Sequence, residues 1–511
     1  MSETPDGSST STPESVKAVA QNKEGTTADS KAAKTSIPCP EEGKLFVVGE
    51  SVKRAVEGRP AERQADQPIY RPLKIFALDP SVSRLEGATA LVNVPYEPLT
   101  AGPTGYIFKV DNTTAGAEQA HPPLNLDDPD ILIRSGIDPS TSDERFHEQM
   151  VYAVCSIVYT AFRMALGRHL TWGFNEPADK RTQLLIRPRA FPTSNSHYDK
   201  ETGELGFGFY KSKAKDSFPG TVYACLSHDT VAHEVTHALL DGLRAHFSLP
   251  TSPAVLAFHE GFADVVAVFQ HFSYEQVVLT AIRKSRGNIS RADLLTDIAR
   301  QLGQTGRDAK TALRSAIDYT DKPPDGPGEK KGRRLYDETL EAHDLGSVLL
   351  FAVFEAFTNV FSRKTQRIVR LATGGSGQFP PGEISLDLQA ALAEKASKLA
   401  SQFLTMCIRA IDYCPPVDIT FGEYLRAVIT ADRDLVPDDP WAYREAWVDA
   451  FRNYHIYPNS VPDLSEESLL WHDPKKQNFE IPEIKGLAFA ELKFEGDPAW
   501  PAGVDELERQ A

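Results

Sequence analysis

The chain has no surplus of positive charge, no paired-cysteine motif and no unbroken apolar run as long as a bilayer demands. Each lack removes a class of function. Its 511 residues carry 55 Lys and Arg against 71 Asp and Glu, a formal net charge of −16. A nucleic acid or an anionic membrane needs a basic face to dock on, so neither is expected as a partner. The five cysteines, Cys39, Cys155, Cys225, Cys407 and Cys414, are scattered, odd in number and include no C-x-x-C. That pattern argues against a disulfide framework and for a reducing compartment. The N-terminal stretch MSETPDGSSTSTPESVKAVAQNKEG has no apolar h-region, so a cytoplasmic location is expected, with unconventional export left open. The most apolar run, Met150–Leu166, is broken by Arg163 and falls short of the roughly 20 residues of a membrane span. It is read as a buried helix.

What is present is an ordinary globular composition, 41% hydrophobic and 25% charged, in a chain too long for a single core. Residues 1–65 read as a tail, and its first 40 or so have too few large apolar side chains to offset the entropy of ordering. Short β-type runs follow at 73–78, 90–94 and 106–110, punctuated by Pro and Gly, and suggest a small β-rich unit over 66–125. From 142 to 167 the apolar residues Val151, Val154, Cys155, Val158, Tyr159, Phe162 and Leu166 recur at helical spacing. Strand-like segments come next, around 184–186, 205–209 and 221–225. Helical segments are then expected at about 229–247 and 254–272, and mostly helix to about 455, with a Gly- and Pro-rich break at 374–382.

The informative stretch runs Asp229-Thr-Val-Ala-His233-Glu234-Val-Thr-His237-Ala-Leu-Leu-Asp241 and contains H-E-x-x-H. On a helix, residues four apart share a face, so His233 and His237 can converge on one ion while Glu234 stands beside it. Ser227 or Asp229 can cap the start. A catalytic zinc keeps three protein ligands and one open position. A third histidine on an H-E-x-x-H-x-x-G-x-x-H extension is ruled out, because positions 240 and 243 are both Leu. The next helix offers His259-Glu260-Gly-Phe-Ala-Asp264, where Glu260 and Asp264 share a face amid apolar neighbours. Glu260 can ligate and Asp264 can accept a hydrogen bond from the far nitrogen of His233 or His237. His259 is the alternative ligand, whereas His246 and His271 read as ordinary surface or core residues.

These residues resemble the thermolysin-like zinc peptidases, a branch of the gluzincins. That family's zinc helix reads D-x-V-A-H-E-x-T-H-A-x-x-D, which Asp229–Asp241 matches at every stated position, and its second helix carries the E-x-x-x-D of Glu260 and Asp264. Leu313-Arg314-Ser315 resembles the family's L-R-S, which implies that Arg314 binds a substrate carbonyl. The run from Glu341 through His343 to Ser347 resembles its x-x-H-x-x-S/G-G/S helix start. That likeness implies that His343 stabilises the oxyanion, oriented by a nearby acid. Ser194-Asn195-Ser196, before a hairpin-like stretch, resembles the edge strand whose Asn binds substrate backbone.

The resemblance covers about 145–455. It implies an α+β, two-lobed zincin fold: a catalytic lobe over 126–275, a helical C-terminal lobe over 276–458 and an extension over 459–511. It further implies a Zn2+-dependent endopeptidase acting on peptide or protein substrates through a metal-activated water, with Leu313 walling a pocket for an apolar residue. Of the family's calcium carboxylates only Asp229 is matched. His271 stands where another is expected, which counts against bound Ca2+. No Tyr stands in the turn between the two helices, so the family's tyrosine oxyanion donor is not placed. The rival assignments are a zinc aminopeptidase, for which no amine-binding acidic motif is evident, and a catalytically silent zinc-binding interaction protein.

Overall fold

Alternating burial in Tyr70–Phe76 (β1) marks a strand with one face inward, and it pairs antiparallel with Thr89–Pro95 (β2), Leu73 opposite Val92. The structure is a computed structural model that describes residues 67–80, 88–115, 121–174, 183–211, 220–289, 333–379 and 382–472, with 292, 295, 297–298 and 314–315 between. The expected tail over 1–65 and the extension beyond 472 lie outside the described residues. The fold mixes helix and strand, as an α+β chain must.

Phe108–Val110 (β3) does not close on β1 and β2. It pairs in parallel with Leu184–Phe191 (β4), so the expected β-rich stretch is hydrogen-bonded into the sheet of the next segment. Between them lie a short helix, Pro129–Ile133 (α1), and the long Glu144–Leu166 (α2). Asp143 caps the start of α2 and Gly167, at φ +67°, ends it in the left-handed conformation that glycine adopts without penalty. The sheet continues through Ser196–Asp199 (β5), Glu204–Lys211 (β6) and Thr221–Tyr223 (β7), in the order β3-β4-β6-β5 with β7 also on β6. β5 is therefore an edge strand. Gly208 in β6 is required because the Thr193 and Asn195 carbonyls occupy the place of a Cβ, and its N–H donates to Asn195 O at 2.8 Å.

Three helices follow: His228–Leu243 (α3), Pro253–His271 (α4) and Glu275–Ser285 (α5). Pro253 begins α4, where its missing N–H costs nothing. α4 is buried on nearly every side, including Val255, Phe258, Phe262, Val265, Val266 and Phe269, so it must be a central element. A two-residue ribbon, Asp297–Ile298 (β8) with Arg314–Ser315 (β9), precedes the remaining helices. These are Ala342–Ala372 (α6), Leu386–Ala410 (α7), Phe421–Leu435 (α8), Tyr443–Asn453 (α9) and the short Glu466–Leu469 (α10). A full capping box between Thr420 and Glu423 starts α8.

α4 packs on α3 on one side and on α6 on another. At the second crossing the backbones touch. A Cβ on Gly261 would lie 2.5 Å from Gly346 O, and one on Gly346 would lie 2.8 Å from Ala257 O. By length and composition two of the described helices, α2 and α6, could cross a bilayer, which corrects the expectation that the apolar runs are too short. Their apolar windows are 72% and 78% buried inside the fold, so packing accounts for the hydropathy.

Candidate metal centre

The helical period puts His233 and His237 on one face of α3, and the packing of α4 brings Glu260 over that face. The two Nε2 atoms lie 3.0 Å apart, and the Glu260 carboxylate oxygens stand 3.3 Å from His233 Nε2 and 3.7 Å from His237 Nε2. One donor atom from each residue falls within 4.8 Å of the other two. Glu234 lines the same cleft.

The far nitrogens of both rings are engaged. His233 Nδ1 lies 2.8 Å from Asp264 Oδ1, and a carboxylate can only accept, so the ring proton sits on Nδ1. Nε2 of His233 then presents a lone pair. His237 Nδ1 meets His259 Nδ1 at 2.6 Å, and the tautomer that donates to His259 bares Nε2 of His237 as well. His259 suits the acceptor role: burial pushes its pKa down to about 4, so the ring is neutral. Two lone pairs and a carboxylate facing one another repel unless a positive charge, a metal ion or a second proton on a ring, lies between them. Glu260 Oε2 is buried without a well-formed hydrogen bond. The donor set, two imidazoles and one carboxylate, fits zinc with a position left open. Burial acts to raise the Glu260 pKa, but His233, His237 and His343 alongside outweigh it and hold the carboxyl well below its usual range.

His343, at the start of α6, reaches the same place from the opposite wall. Its Nε2 is 3.3 Å from Glu260 Oε2, and its Nδ1 is 2.8 Å from Glu341 Oε1. Glu341 also caps α6 by accepting from the His343 N–H, so one carboxylate fixes both the helix start and the ring. The cleft has a volume of about 510 Å³ and is bordered by Asn195, Tyr198, Leu256 and His343. A second cavity of about 400 Å³, beside Lys364, Met406 and Trp441, has no histidine in its lining.

The start of α3 stands differently from expectation. Ser227 occupies the N-cap position of α3 but makes no side-chain cap bond, and Asp229 turns to His271 instead of capping. His271 is buried in a cluster with His228 and Asp229. His259 backs His237 through its ring nitrogen, which leaves Glu260 as the third donor. Arg314 pairs with Ile298 in the β8–β9 ribbon, and only that backbone pairing is described. Leu313 lies outside the described residues. Asn195 borders the cleft next to β5.

Two contacts had no signal along the chain. Buried Asp241 accepts from Tyr198 at 2.9 Å and Lys200 at 2.5 Å, tying the β5–β6 hairpin to α3. Burial pushes the Asp241 pKa up, against the pull of Lys200. The four described cysteines are buried and unbridged. The chain matches no protein-family model and no curated protein.

Proposed function

We propose that the chain is a zinc-dependent peptidase of the thermolysin-like kind, built as a two-lobed zincin and acting as an endopeptidase. The observation that carries this is the convergence of His233, His237 and Glu260 in an open cleft beside Glu234, with Asp264 fixing the His233 tautomer. Zinc held by that set supplies Lewis acidity, which acidifies water and polarises a carbonyl at neutral pH.

The chain's own groups do the rest. Glu234 accepts the proton of the attacking water and returns it to the leaving amine. His343 Nε2, steered by Glu341, donates to the oxyanion as charge develops on the substrate oxygen. The edge strand β5 offers main-chain groups that align an extended peptide, and Asn195 supplies a further polar contact at its start. Asp241, Tyr198 and Lys200 keep that hairpin against α3, so the substrate track and the water-activating helix move as one piece.

The test is cleavage of a denatured protein by wild type and Glu234→Gln, with bound zinc quantified in both. Cleavage by wild type alone, at about one cleft zinc per chain in each protein, supports the assignment. Zinc in both without cleavage in either favours a silent binding protein. Folded protein that takes up no zinc at His233 and His237 sinks the proposal.

A further inference from the structure

Toward the N-terminus of α3 from His233, three more potential ligands meet, all of them buried. His228 and Asp229 come from the first turn of α3, and His271 from the last turn of α4. None is more than 4% exposed. One donor atom from each lies within 4.8 Å of the other two. His228 Nδ1 stands 3.5 Å from Asp229 Oδ1, and His271 Nε2 touches the same oxygen. Both ring nitrogens are buried and lack a well-formed hydrogen bond.

Their far nitrogens are held. His228 Nε2 lies 2.7 Å from the Tyr274 hydroxyl, and His271 Nδ1 lies 3.3 Å from Leu295 O. A carbonyl only accepts, so His271 carries a proton on Nδ1, and in the neutral ring its Nε2 can ligate. This is the support that ligating imidazoles receive: one nitrogen anchored behind, the other aimed at the ion. Asp79, also buried, is close enough for its charge to act on His271 but does not join the three donors that lie within 4.8 Å of one another.

We propose that His228, Asp229 and His271 form a second metal site, buried and structural, for a zinc-like divalent transition-metal ion. Two imidazoles and a carboxylate suit such an ion, whereas calcium takes about six to eight oxygens. A buried set fits a structural role. The ion clamps the start of α3 to the end of α4, the two helices that carry His233, His237 and Glu260. The rival holder of the cluster is a proton shared between His271 and Asp229.

The proposal does not depend on peptidase activity, and its test uses a variant without the cleft ligands. In full-length His233→Ala/His237→Ala, the buried site is the one three-donor cluster left intact among the described residues. Metal analysis should find about two equivalents of zinc in wild type and one in this variant. Replacement by Co2+ should give the variant a visible ligand-field spectrum. Adding His271→Phe should abolish both signals. Because that buried change can unfold the chain, Tyr274→Phe in the same background is the second probe. It should weaken Co2+ binding about tenfold with an unchanged circular dichroism spectrum. A folded cleft variant with no zinc and no cobalt spectrum, even after refolding in excess metal, overturns the proposal. One equivalent in wild type that vanishes in the cleft variant also overturns it, while leaving the cleft assignment intact. One equivalent retained in both overturns the cleft assignment and supports this one.

Discussion

Two clusters on α3 share a chemistry and differ in surroundings. Each joins two histidines to one carboxylate, and each bridges α3 to α4. The Glu260 set opens on a cleft lined by Glu234 and His343, whereas the Asp229 set is closed over by core. The contrast teaches that the same donors can serve different ends, because access decides what an ion held there could do. A buried set can only hold helices together, and an exposed one can work on a substrate.

Substitutions that split the two roles sharpen this contrast. The largest effect is expected at Glu234→Gln, which should lower kcat by about 10²–10⁴-fold and leave the denaturation midpoint unchanged. Next comes a matched pair in chemical denaturation. Asp229→Ala, which strips a buried partner from His271, should cost about 3–5 kcal/mol. Glu260→Ala in metal-free protein should cost less than that, because its carboxylate borders an open cleft where water screens the pairing with His233 and His343. Equal losses at the two sites would erase the distinction drawn here.

Asp264→Ala should weaken zinc binding in the cleft by about 10–100-fold, read by competition with a chelator, since His233 loses the acceptor that fixes its tautomer. The smallest change is expected at His259→Ala, at the lower end of that range. His259→Asn should recover much of it by restoring an acceptor for His237. No difference between the Ala and Asn variants would mean that His259 only fills space.

The parts of the site legible in the sequence are those whose geometry is local. The helix of His233 and His237 was readable because spacing four and an apolar face are properties of consecutive residues. Glu260 and Asp264 followed for the same reason. His343 and Asn195 were marked only by their order along the chain, and both border the cleft. What stayed hidden depends on tertiary packing. Only the family resemblance set His271 beside Asp229, as calcium positions, and nothing along the chain says that His228 joins them. Nor does any local pattern announce that Lys200 will neutralise Asp241, or that His259 will turn its ring to His237. β3 likewise looked like a companion of β1 and β2, because a three-residue strand carries too little pattern to name its partner. The apolar length of α6 was missed because Asp, Glu and Lys at its two ends masked a long central run.

The crossing of Gly261 and Gly346 works as a gauge block. Backbone stacked on backbone leaves no compressible side chain between α4 and α6, so the reach from Glu260 to His343 is machined into the main chain. Changes on the outer flanks of either helix will leave that reach alone. A single methyl at 261 or 346 acts as a shim, prising the carboxylate from the imidazole and widening the cleft between them. Anyone wishing to resize the cleft has, in those two glycines, one adjustment screw.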